Sequence, residues 1–133
     1  MKETIVSPAG VEDLNKQIAN IGTVSNADES SGVSASSSSW TTIKTLSLAK
    51  GTYVITGDLT FENNSNGIRI MILDTTETET NLYDNSVLAS GRADLNKTRI
   101  FELNVTTTIY LRAYQSSGST MSVRGRIKAI RIK

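Results

Sequence analysis

Only a narrow set of chemistries is open to this chain. It contains no histidine and no cysteine. Ser–His–Asp and Cys–His nucleophilic systems are therefore excluded within one chain, as is the commonest general base. Thiol catalysis, disulfides and cysteine-ligated zinc or iron–sulfur sites go with the missing cysteines. Carboxylates, Lys, Tyr, Ser and Thr remain. Two carboxylates suffice for a glycosidase, and Asp58 with Glu62, or Asp74 with Asp84, are the pairs on offer. Acids on loops usually serve as surface charge, so the expectation is a protein with no catalytic residue that is not an enzyme.

Binding chemistry concentrates in residues 74–85, Asp-Thr-Thr-Glu-Thr-Glu-Thr-Asn-Leu-Tyr-Asp-Asn. Its hard oxygen donors suit calcium, but the EF-hand spacing is absent. A plain solvated loop, with no metal and no cofactor, is the better reading. The same loop is the best candidate for touching a ligand. Tyr83 offers a ring to stack on a sugar face, and Asp84 and Asn85 offer hydrogen bonds to hydroxyls. If strands simply alternate in direction, the loop lies at the end away from the N-terminus, beside Lys50 and the Asn104–Thr106 turn. The residues Arg124, Arg126, Lys128, Arg131 and Lys133 form a basic run. No aromatic set interleaves with them and the whole chain carries a formal charge of only +1, so no nucleic-acid partner is expected. Charge that protects an edge strand explains the run better. Three Asn-x-Ser/Thr triplets, at 63–65, 96–98 and 104–106, arise by chance in so Ser/Thr/Asn-rich a sequence.

The elements that must position these residues follow from periodicity. Val11, Leu14, Ile18 and Ile21 are spaced three, four and three apart, an a/d seam between Pro8 and Gly22. Residues 1–22 therefore read as a short helix, either packed on the body or forming the end of a coiled-coil stem. Less than two heptads cannot hold a helix alone. Residues 23–39 read as a Ser-rich linker, ended by Trp40 as an anchor. From residue 40 to 133 the pattern has period two, with strands expected near 40–49, 52–62, 67–74, 85–90, 98–105, 107–115 and 120–132. Bulges are expected at Gly57 and near Ala129-Ile130. This is an all-β domain, a sandwich or jelly roll.

Several strands carry apolar or aromatic residues on both faces. Ile68, Ile70 and Ile72 read as the core face of their strand, leaving Met71 and Leu73 opposite. Tyr110 and Tyr114 oppose Ile109, Leu111 and Ala113. A sandwich strand needs only one apolar face, so the second set points to self-association. With the seam, this predicts a homotrimer whose interface uses Val11, Leu14, Ile18, Ile21, Met71, Leu73, Tyr110 and Tyr114.

Residues 38–43, Ser-Ser-Trp-Thr-Thr-Ile, then Leu46-Ser47-Leu48 and Gly51-Thr52-Tyr53-Val54-Ile55-Thr56-Gly57, resemble the opening of the C-terminal head domains of bacteriophage tail-fibre and baseplate receptor-binding proteins. The stretch from Thr108 to Gly118 and the closing Ile127-Lys128-Ala129-Ile130-Arg131-Ile132 resemble their ending. The resemblance covers residues 38–133. It implies a trimeric jelly roll of the kind shared with tumour-necrosis-factor and complement-C1q heads, placed at the tip of a fibre or appendage among other virion tail proteins and binding saccharide, a related polymer or another receptor on the host surface. The ligand residues of such heads follow no motif, so none is carried across, and this chain departs from them in having almost no shaft. The expected location is a virion tail or baseplate, or a prophage product. No run of eighteen apolar residues crosses a membrane, and no apolar stretch of signal-peptide length is seen. The alternatives are a structural trimerisation or capping module without a ligand, and a bacterial lectin-like surface domain.

Overall fold

A computed structural model describes residues 21–28, 31–77, 83–88 and 90–133. The strands are β1 (Val24–Asp28), β2 (Val33–Ala35), β3 (Ser39–Leu48), β4 (Gly51–Asn64), β5 (Ile68–Asp74), β6 (Asn85–Leu88), β7 (Gly91–Leu103), β8 (Thr107–Gln115) and β9 (Met121–Arg131). They form two antiparallel sheets. The larger runs β1-β9-β4-β7, with β2 also on β9; the smaller runs β3-β8-β5-β6. Strict alternation along β4 and β9 sends Tyr53, Ile55, Leu59, Phe61, Val123, Ile127 and Ala129 inward to one core shared by both sheets. An all-β sandwich of the jelly-roll kind results.

The expected strands are present from residue 39 onward, and β7 begins earlier than its sequence suggested. Ala93 and Leu95 alternate inward before Phe101 and Leu103 do, a period-two signal hidden between Gly91 and Asn96. Residues 23–39 depart from a free linker. They supply β1, paired with β9 from Val24↔Ile130 to Asp28↔Arg126, and β2, paired from Val33↔Val123 to Ala35↔Met121. Ala27, Val33 and Ala35 pack on the core. Small apolar residues two apart were the available sign. The helix expected over 1–22, with Val11, Leu14 and Ile18, lies outside the described residues; Ile21 is described and exposed.

Neither expected bulge exists. Gly57 pairs in register with Ile127 and Lys97, and Ala129 and Ile130 alternate normally. Register shifts occur instead between Thr42 and Lys44 and between Phe61 and Asn64. The first turns Ile43 inward, where it is 4% exposed. Gly57 is required by close approach: a Cβ there would lie 2.9 Å from Met71 Cε and 3.0 Å from Leu111 Cδ1.

The faces of β5 are the reverse of those expected. Met71 and Leu73 are fully buried in the inter-sheet core, so they have no surface to offer a partner chain. Their role as a trimer interface is corrected on that ground. Ile70 and Ile72 lie on the outer face of the smaller sheet, beside Tyr114 and Arg112, and are nevertheless buried. The basic run also sits differently: Arg124, Arg126 and Lys128 project from β9, an internal strand between β1 and β4. Edge protection does not explain them; Arg126 pairs with an acid of the neighbouring strand, Arg126 Nε–Asp58 Oδ2 at 3.3 Å, while Arg124 lies opposite Thr60 and Lys128 between Asn26 and Thr56.

Candidate functional site

The outer face of the smaller sheet gathers the chain's aromatic chemistry. Register places Trp40 opposite Tyr114, which faces Ile70 on its other side, and Thr42 opposite Arg112, which faces Ile72. Period two therefore sets Trp40, Thr42, Tyr110, Arg112 and Tyr114 on one surface. The Trp40 ring lies 5.5 Å from Tyr114 and 5.9 Å from Tyr83, both tilted, and the Arg112 guanidinium sits 5.8 Å from the Trp40 centroid. Such spacings are those of favourable ring and cation–π contacts.

The segment after β5 folds back across this sheet. Arg112 Nη1 donates to the Glu77 carbonyl, Arg112 Nε donates to Thr42 Oγ1, and Thr42 Oγ1 donates to Glu77 Oε2 at 2.9 Å. The contacts fix Glu77 on Arg112 and Thr42, and the Tyr83 ring lies beside that of Trp40. Ile70 and Ile72 on this face are thus buried within a single chain. Tyr83 stays half exposed at 51%, and Trp40 and Tyr114 are partly exposed, which leaves ring faces open to a ligand, while Arg112 is buried beneath them.

The four ligand residues expected from sequence separate. Tyr83 joins the aromatic cluster. Asp84 turns inward: its amide donates to the Met71 carbonyl, its Oδ2 accepts from Leu73 N at 2.5 Å, and its Oδ1 lies 3.6 Å from Arg99 Nη1. With its side chain 12% exposed, it is a structural brace. Asn85 Nδ2 donates to the Asn96 carbonyl and Oδ1 accepts from Ser86 N, tying β6 to β7. Lys50 is elsewhere. Trp40 and Leu48 bound most of β3, eight residues and roughly 26 Å apart, and Lys50 lies beyond Leu48. There it lines a recess with Gly51, Glu102, Asn104 and Arg131. That end also holds both ends of the described chain, since Gly22 N donates to Arg131 O at 2.6 Å and Thr52 N to Lys133 O. The expectation that Lys50 and the Asn104–Thr106 turn lie away from the N-terminus is therefore corrected. Of the remaining interface residues, Tyr110 lies partly exposed between Thr45 and Asp74, and Tyr114 packs on Trp40.

The candidate catalytic acids are engaged internally. Asp58 pairs with Arg126, Glu62 Oε1 accepts from Ser122 N, and Asp74 and Asp84 both flank Arg99. Trp40, Thr42 and Arg112 were missed as site residues. The alternation Tyr110-x-Arg112-x-Tyr114 showed that they share a face, but nothing local showed that β3 lies beside it.

The opposite end of the sandwich is a Ser/Asn tip. Gln115 Nε2 donates to Ala35 O and Ser119 O, Gly118 N donates to Ser37 Oγ, and Asn66 N donates to Asn64 Oδ1. Beneath it Arg69, fully buried, donates to the carbonyls of Asn64, Asn66 and Ile68.

The fold defines a class before it defines a role: an all-β sandwich of the jelly-roll kind. Solved structures of infectious bursal disease virus resemble it. The Gx strain structure aligns with a TM-score of 0.55 at 16% identity over 82% of this chain and 32% of that one. The virus's VP2 subviral particle gives 0.55 at 13% identity, over 82% and 33%, and its T13 viral particle 0.54 at 14%, over 82% and 31%. The likeness is one of fold, and this chain spans about a third of those chains. No family model and no curated protein matches the sequence. Among the described residues no helix is long and apolar enough to cross a membrane.

Proposed function

We propose that this chain is a virion structural module: a non-enzymatic head of a tail or baseplate appendage that attaches, as a homotrimer, to host-surface saccharide. The observation that carries the attachment reading is the cluster of Trp40, Tyr83 and Tyr114 beside Arg112, partly open on the outer face of the smaller sheet. Aromatic faces stack on the C–H side of a sugar ring, and the tyrosine hydroxyls among them can bond its oxygens. Virion placement is supported by the fold shared with a virus whose solved structures are of particles. Weak binding at each shallow site would be raised by multivalency in a trimer.

The test is binding of purified protein to a glycan array and to whole bacterial cells, with Trp40→Ala and Tyr83→Ala beside it. Stacking on one ring contributes about 1 kcal/mol, so each variant should weaken binding about fivefold to tenfold and leave the far-UV circular dichroism unchanged. Absence of wild-type binding to any cell or cell-wall polymer would overturn the attachment reading in favour of a capping module.

A further inference from the structure

We propose that the recess beside Lys50 is an anion site whose ligand is a phosphate group. The recess holds about 540 Å3 at the end of the sandwich where the β3–β4 turn, the start of the β7–β8 turn and the end of β9 meet. Lys50, Arg131 and Lys133 line it, against one carboxylate, Glu102. Among the described residues no ion pair joins any of these four side chains to an opposite charge. Gathering them leaves an excess of positive charge around a concavity, which draws in an anion. Thr52 and Asn104 add polar side chains to the same walls.

Arg131 is held in place before any ligand arrives. Its guanidinium sits 5.8 Å from the Tyr53 centroid, and its Nε donates to the Lys133 main-chain oxygen at 3.3 Å. Its two terminal nitrogens make no hydrogen bond among the described residues. Tyr53 Oη donates to the Ala49 carbonyl at 2.8 Å, which fixes the turn that carries Lys50. Gly51 leaves the guanidinium its room, since a Cβ there would lie 3.0 Å from Arg131 Cζ. A guanidinium edge is a planar pair of donors that matches two oxygens of one anion, whereas ammonium groups are point charges free to approach from other sides. A carboxylate spends both oxygens on the fork. A phosphate keeps further oxygens for Lys50 and Lys133, which are exposed and able to close on them. The recess lies beyond Leu48, at the far end of β3 from Trp40. The inference therefore goes beyond saccharide binding at the aromatic face and stands without it.

The test is titration of the isotope-labelled full chain with inorganic phosphate, read from backbone amide shifts. Dimethyl phosphate, acetate, and sodium chloride at matched ionic strength are titrated beside it. Phosphate should give saturable shifts at Gly51, Thr52 and Asn104, acetate weaker ones, and chloride none that saturate. Lys50→Gln and Arg131→Lys should each weaken phosphate binding about threefold to fivefold, the scale of one solvent-exposed ionic contact. Lys128→Gln, on the outer face of the larger sheet, should leave it unchanged. Saturation by dimethyl phosphate at the same residues supports a phosphodiester-linked polymer as the source; saturation by inorganic phosphate alone supports a free or terminal phosphate. Equal saturation by acetate, shifts no different from those in chloride, or binding untouched by both recess variants overturns the proposal. Failure of the wild type to bind any glycan or cell, with the phosphate titration intact, removes the attachment reading and leaves this site standing.

Discussion

At the scale of single residues, Arg69 explains both a misreading and a property. On sequence, Ile68, Ile70 and Ile72 look like the buried side of β5, because the alternative side begins with an arginine. The structure buries that arginine instead, with its guanidinium 5.8 Å from the Phe61 centroid and its hydrogen bonds spent on three turn carbonyls. Its Nε has no partner, and among the described residues no carboxylate pairs with it. Burial lowers its pKa, yet arginine starts so high that it remains cationic and drives no change of stability between about pH 5 and 9. Arg69→Met keeps the volume but orphans the carbonyls of Asn64, Asn66 and Ile68. It should cost about 2–4 kcal/mol in urea unfolding, and Arg69→Lys, which reaches fewer carbonyls, should fall between.

At the scale of elements, the two sheets approach each other over glycines. Gly57 of β4 and Gly125 of β9 both face the core. A Cβ on Gly125 would lie 2.7 Å from Ile43 Cγ2, and one on Gly57 would meet the flexible end of Met71. A β-branched side chain yields less than a methionine. Gly125→Ala should therefore destabilise by about 2–3 kcal/mol and Gly57→Ala by about 1 kcal/mol, both read from denaturant midpoints. Met71→Ala should recover part of the Gly57→Ala loss in a double-mutant cycle. The strands themselves were legible because alternation is a local signal. β1 and β2 were not, since their partner β9 lies about a hundred residues downstream and their own apolar content is small. Trp40 was legible as an anchor, but its place in the aromatic cluster depends on β3 pairing with β8, which no local pattern reports.

At the scale of the whole molecule, the first described strand pairs with the last, and the two ends sit together at Gly22 and Arg131. A circular permutant of residues 21–133, joined through a short Gly/Ser linker and opened between Asn104 and Val105, should keep cooperative thermal unfolding and the near-UV spectrum of the parent. Removing residues 121–133 should abolish folding, because β1, β2 and β4 all pair with β9; far-UV circular dichroism would show it. So much non-local pairing also predicts refolding in about milliseconds to seconds by stopped flow, slower than a helical domain of this size. The pairing of β1 with β9 has a mechanical side as well. Its hydrogen bonds run across the strands. A pull transmitted through Gly22 along the strand direction therefore strains the whole five-residue ladder together, in shear, and does not peel it one rung at a time. All five rungs must then give way at once, so a load applied there meets far more resistance than one that lifts β1 sideways off β9.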